Sequence, residues 1–210
     1  MASVPTTRLI LASASPRRAR LLADSGYRFE VVAPRLDEPE EAGPNVPPTQ
    51  CAEALSYYKA RCVANEHDAI DAIVLAADTV VAYGGRIYGK PADVDDARFI
   101  LSTLAGTTHR VITGVTMLRP AADQRLIRHA VTRVTMRPMA DDVLDAYIGS
   151  GAWEGKAGAY GIQDHGGAYI DQIDGSFTNV VGLPMRLVAR MLQEVGYAAP
   201  PVNHATEPTG

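Results

Sequence analysis

The sequence predicts an α/β fold. Three observations carry that reading. Apolar, strand-like runs alternate with helix-like segments from about residue 8 to residue 196. The longest apolar run, 73–83, has apolar side chains on both faces, as a central strand requires. Gly and Pro fall between these segments, where caps and turns need them.

The elements follow in order. Residues 8–12 form a strand that runs into a helix over 16–24, with Ser15 placed to cap it, Pro16 in its first turn and Gly26 at its stop. A second strand covers 29–33. A long Pro- and Glu-rich loop, 34–48, follows, and its length marks it as functional. Thr49 opens a helix that reaches about Glu66. After the strand at 73–83, Gly84-Gly85 turns the chain so that 86–88 pairs back as a short hairpin arm. Acidic residues start a helix over 93–104, and Gly106 follows its end. Two long strands, 109–118 and 126–137, are joined through Pro120. A short helix at 141–148, a glycine-rich stretch at 149–167, a strand at 168–173 and a closing helix at 183–195 complete the chain. Residues 1–7 read as a loose start and 197–210 as a disordered tail, leaving one domain over 8–196.

Composition narrows the function classes. The chain has 210 residues, 20 Lys+Arg and 24 Asp+Glu, for a formal charge of −4. Net charge therefore argues against broad nucleic-acid binding. The run at 73–83 carries Asp78 and falls far short of the ~20 residues of a membrane span. Cys51 and Cys62, eleven residues apart on one predicted helix, are separated by ~16 Å, too far for a disulfide. This fits a reducing cytoplasm, and no signal peptide is read at the start.

Three segments carry chemistry. In LASASPRR (11–18) a strand ends at two serines, and a helix starts with two arginines in its first turn. A helix N-terminus offers free N–H donors, and arginine recognises phosphate bidentately. Two cations there oppose the helix dipole, a conflict that an anionic ligand relieves. The plain alternative is a capped helix with solvated arginines. In LAADTVVAYGGRIYGKP (75–91) Asp78 interrupts an apolar strand and needs a lysine, backbone donors or a metal beside it. Lys90 follows on a constrained loop, and a structural Asp–Lys pair is the plain alternative. Asp78 and Thr79 point to opposite faces of a regular strand, so both line one site only at a strand end or a bulge. In GKAGAYGIQDHGG (155–167) five of thirteen residues are glycine, which permits close backbone approach to a ligand. Gln163 offers a donor and an acceptor suited to a base edge; a polar residue in an ordinary loop is the alternative. Taken alone, Glu38 reads as a solvated acid and Lys59 as an exposed helix residue. His109 and His165 lack partners at zinc-site spacing.

Together these segments resemble the Maf family of nucleoside triphosphate pyrophosphatases. The resemblance rests on LASASPRR (11–18), LDE (36–38), AADTVV (76–81), GKP (89–91), TGV (113–115), KAGAYGIQ (156–163), and GS followed by NVVGLP (175–184). It implies a two-lobed α/β, mixed-sheet fold of the Maf/ITPase-like type, with a nucleotide cleft between the lobes. It implies cleavage of a nucleoside triphosphate to monophosphate and pyrophosphate, with a divalent cation, Mg or Mn. Asp78 matches the catalytic carboxylate. Arg17, Thr79 and Gln163 fall where subgroups differ in base preference and resemble the dTTP/UTP type. Ser13, Arg18, Lys59 and Lys90 fall on phosphate-binding positions, and Asp78 with Glu38 on the metal positions. The resemblance further implies a cytoplasmic house-cleaning enzyme, a homodimer, and neither membrane nor nucleic-acid partners. Where many relatives carry Asp before the Lys-Ala-Gly segment, this chain has Gly155. Two other classes remain open: a nucleotide-binding regulator of septum formation and cell division without significant turnover, and a phosphoryl or nucleotidyl transferase.

Overall fold

The computed structural model describes residues 7–35, 46–66, 69–163 and 165–197. The expectations for the extreme N-terminus, for the tail from residue 198 and for Glu38 lie outside these residues.

The chain forms β1 (Arg8–Ala12), α1 (Pro16–Asp24), β2 (Glu30–Val32), α2 (Pro48–Glu66), β3 (Ala72–Tyr83), β4 (Arg86–Tyr88), α3 (Val94–Leu104), β5 (Thr108–Arg119), β6 (Gln124–Met136), α4 (Asp141–Gly149), β7 (Ile170–Asp174), α5 (Phe177–Val181) and α6 (Met185–Glu194). One seven-stranded mixed sheet runs β2-β1-β3-β5-β6-β7, with β4 paired to β3. The pairs β2–β1 and β1–β3 are parallel and the rest antiparallel. The 73–83 run is central, as its two apolar faces predict. The closing helix expected over 183–195 is α6, and a further short helix that the sequence pattern did not mark, α5, precedes it, with Gly182 at the C-cap of α5 and Pro184 at the N-cap of α6.

The pleat of β3 divides the core. Ile73, Leu75 and Ala77 face one way and pack with Leu9, Leu11 and Leu22, and with Leu187, Val188 and Met191 of α6. Val74 and Ala76 face the other way, against Ala60 and Val63 of α2. Farther along, Val81 joins a separate apolar body with α3, α4 and Tyr160. Each large apolar side chain buried this way contributes roughly 1.5–3 kcal/mol. The apolar bodies thus share one sheet, and β3 passes from one into the next.

Gly114 of β5 explains how closely α2 lies on this sheet. A Cβ there would sit 2.1 Å from the Ala52 carbonyl oxygen. Gly114 is also the register partner of Asp78, so the helix backbone rests on the strand pair that carries the carboxylate.

Candidate active site

β1 ends at Ala12, opposite Ala76, whereas β3 continues to Tyr83. On the same edge β4 pairs only with residues Val81 to Tyr83. Residues 77–80 therefore face a gap in the sheet edge. This gap resolves how Asp78 and Thr79 line one site. The expected strand end or bulge is not used; the neighbouring strand stops short, and both faces of β3 open into the same cleft.

The cleft encloses about 440 Å³ and is lined by Ser13, Arg17, Arg18, Lys59, Asp78, Thr79, Lys90 and Gln163, together with Glu154, Lys156 and Tyr160. Every site residue expected from the sequence and lying among the described residues reaches this one space.

On the α2 face the Lys59 ammonium donates to Asp78 Oδ1, and both side chains are buried. Two expectations change here. Lys59 is not an exposed helix residue: it is 5% exposed, because the close seat of α2 turns it inward beside the strand. The lysine bound to Asp78 Oδ1 is Lys59 from α2, not Lys90, which is exposed on the loop after β4. An ion pair this dry leaves either member costly alone. The negative charge of Asp78 also helps burial to raise the Cys51 thiol above its ordinary value.

On the opposite face Arg18 is the hub. Its Nε donates to the Gly182 carbonyl at 2.8 Å, its Nη2 to Thr79 Oγ1 at 3.1 Å and its Nη1 to Ser13 Oγ at 3.4 Å. Ser15 occupies the N-cap of α1, yet its side chain makes no capping bond. Ser13 Oγ accepts the Ser15 N–H at 3.2 Å, a bond to the N-cap residue's own N–H rather than to the first-turn N–H groups that a cap serves. Thr79 Oγ1 lies 2.9 Å from Thr113 Oγ1, and Thr113 donates to the Asn179 carbonyl at 3.1 Å. Sequence reasoning did not single out Thr113 or Asn179 as site residues, although both belong to the segments that carry the family resemblance.

The glycine-rich segment closes the rim. Arg17 Nη2 approaches the Gly155 carbonyl at 3.5 Å. The Gly158 N–H donates to the Gly89 carbonyl at 2.9 Å, which ties the segment to the Lys90 loop. Gly158 has φ +72°, and a Cβ there would meet Val81 Cγ2 at 2.8 Å. The Lys156 ammonium donates to the Ala152 carbonyl and lines the cleft. Tyr160 forms part of the wall, and its hydroxyl lies 2.7 Å from His109 Nε2. Burial holds the His109 imidazole down to about 4 and raises the Tyr160 hydroxyl above its ordinary value.

Among the described residues no group of three or more His, Cys, Asp or Glu could hold a metal ion, and no helix is long and apolar enough to cross a membrane. What the cleft offers is one buried carboxylate, several cations from four segments and an apolar wall, an arrangement suited to a polyanion with a flat organic end.

Comparison with known proteins agrees. The model of the family described as "Maf-like protein" matches residues 8–195. A dTTP/UTP pyrophosphatase of Pelotomaculum thermopropionicum is 40% identical over 189 residues, covering 90% of this chain and 97% of that protein. One from Anaeromyxobacter dehalogenans (strain 2CP-1) is 42% identical over 195 residues, covering 92% and 96%. One from Cereibacter sphaeroides is 43% identical over 189 residues, covering 90% and 95%. A solved structure, that of a HAM1 protein from Coxiella burnetii, aligns with a TM-score of 0.45 at 14% identity, over 89% of this chain and 98% of that one. With a family model matched over nearly its whole folded length and relatives of this similarity, the chain belongs to the Maf family.

Proposed function

We propose that this protein hydrolyses dTTP and UTP at the α–β phosphoanhydride bond, releasing the nucleoside monophosphate and pyrophosphate. The observation that carries the reading is the buried Asp78–Lys59 pair at the gap in the sheet edge, opening onto a cleft ringed by Arg18, Lys90 and Lys156. The names of the relatives support the choice of substrates.

The nucleotide lies between the two lobes. Lys90 and Arg18, the latter oriented in advance by Gly182 and Thr79, hold phosphate oxygens. Charge-assisted bonds of this kind contribute roughly 1.5–3 kcal/mol each. Lys59 holds the Asp78 carboxylate in place. The Asp78 carboxylate orients the attacking water and takes its proton as the phosphoanhydride bond breaks and pyrophosphate leaves. Arg17, Thr79 and Gln163 shape the pocket for the base, and Gln163 bonds the pyrimidine edge.

A divalent cation, Mg or Mn, fits the donor set only when it arrives with the substrate. Asp78 is the one buried carboxylate among the described residues, and a cation of this class binds through one or two carboxylates with phosphate oxygens completing its shell. Asp78 would hold it, and we assign Glu38 as the second carboxylate; the chemistry such a cation would supply there is polarisation of a phosphoryl oxygen.

The test is a triphosphate panel with separate detection of pyrophosphate and orthophosphate, run with and without metal. The expected products of dTTP are dTMP and pyrophosphate. Orthophosphate release would make the protein a phosphatase, and tight binding without turnover would make it a nucleotide-dependent regulator.

A further inference from the structure

The hydrogen bonds on the Arg18 face have only one consistent direction. A carbonyl oxygen only accepts, so the single Thr113 hydroxyl proton goes to the Asn179 carbonyl. Thr113 then has no proton for Thr79, and the 2.9 Å contact between the two hydroxyls requires Thr79 to donate. Arg18 is a donor only, and its Nη2 takes one lone pair of Thr79 Oγ1. The chain runs Arg18 to Thr79 to Thr113 to Asn179.

The end of this chain is anchored. The Asn179 carbonyl also accepts the Gly182 N–H at 3.0 Å, so both its lone pairs are engaged. The Asn179 side chain, fully buried, donates to the Val111 carbonyl at 3.1 Å and to Thr132 Oγ1 at 2.9 Å. Gly182 closes the circuit, because its own carbonyl accepts from Arg18 Nε. Reversing either hydroxyl would break one of these bonds inside a buried network, where an unmade bond is costly.

Thr79 is part-exposed and lines the cleft. What its oxygen has left for a ligand is a lone pair, never a proton. We infer that Thr113, itself fully buried, is a specificity-positioning residue: it fixes the Thr79 hydroxyl as a hydrogen-bond acceptor toward the base. This rests on the pyrimidine triphosphate reading above. Uracil and thymine present an N–H at N3, which such an acceptor binds. Cytosine presents a bare lone pair at N3, which it repels. Gln163 cannot make this distinction, because its amide offers both a donor and an acceptor and can turn. The polarity must come from a group whose proton is already committed.

The experiment compares UTP and CTP as substrates of the full chain. Thr113→Val removes the hydroxyl with little change of shape and frees the Thr79 proton to turn toward the cleft. Thr113→Ser keeps the relay. The expected result is a UTP-over-CTP preference in kcat/KM that narrows roughly ten- to hundredfold in Thr113→Val, chiefly through improved use of CTP. In Thr113→Ser it stays within about threefold of the parent chain. Thr113→Ala makes the same deletion where the valine variant does not fold. Parallel loss of both activities with the ratio held within about twofold would overturn the inference and leave Thr113 a packing residue. Failure of the parent chain to turn over either UTP or dTTP is a different outcome: it removes the pyrimidine reading itself, and the inference with it.

Discussion

Asp78 and Thr79 are neighbours on one strand, yet the pleat sends them into two different kinds of chemistry. On the α2 face, Asp78 meets a buried cation, Lys59, and the interaction is one of charge. On the opposite face, Thr79 sits in a circuit of hydroxyls and carbonyls whose proton directions are set by Asn179 and Gly182. A charge acts in every direction and suits proton transfer and phosphate chemistry. A relay of hydroxyls points one way and suits the recognition of a base edge. One strand running past its neighbour lets both face a single cleft.

The largest effect should come from the charged face. Asp78→Asn keeps an oxygen for Lys59 but removes the base, so turnover should fall roughly 10²- to 10⁴-fold with the circular dichroism spectrum unchanged; rates within a few-fold of the parent would end the assignment. Lys59→Met leaves the Asp78 charge buried without its partner. It should cost about 3–5 kcal/mol in urea unfolding, and a loss below about 1 kcal/mol would mean the pair is wetter than its burial indicates.

His109 offers an intermediate effect that belongs to neither face. Burial holds its imidazole at about 4, while in the unfolded chain it titrates near 6.5. Between those values the unfolded state binds the extra proton, so stability rises with pH across the window. It is complete above about pH 6.5 and is lost as pH falls toward about 4, by roughly 3 kcal/mol. Unfolding measured across that range should show this slope, and His109→Gln should flatten it. The smallest effect should come from the hydroxyl face. Thr113→Val should cost only about 1–2 kcal/mol, with its signature in substrate choice. If it proved as costly as Lys59→Met, the contrast between a charged face and a directional one would fail.

Much of the fold was readable because local rules act on adjacent residues. The run at 73–83, apolar on both faces, announced a central strand, and Asp93 caps α3 through the Asp96 N–H at 2.8 Å, as an acidic helix start suggests. Ser15 shows where local rules stop. It has the right residue type and place, yet its side chain makes no capping bond, and the nearby Ser13 hydroxyl accepts from the Ser15 N–H and from Arg18 instead. Lys59 shows the same limit. A helix lysine is exposed by default, and only Gly114, 55 positions away, lets α2 settle close enough to bury it.

The sequence by itself determined the order of the strands and of every helix but α5, the family, and which side chains carry charge, because these depend on residue type and short spacing. Only the tertiary structure decided that Lys59 is the lysine bound to Asp78 Oδ1, that a gap in the sheet edge joins the two faces of β3, and that the Thr79 proton points away from the cleft. Each of these depends on atoms far apart in the chain: the end of β1 beside β3, α2 over Gly114, and the Asn179 carbonyl under Thr113. A one-dimensional pattern holds no record of which proton a distant carbonyl will claim.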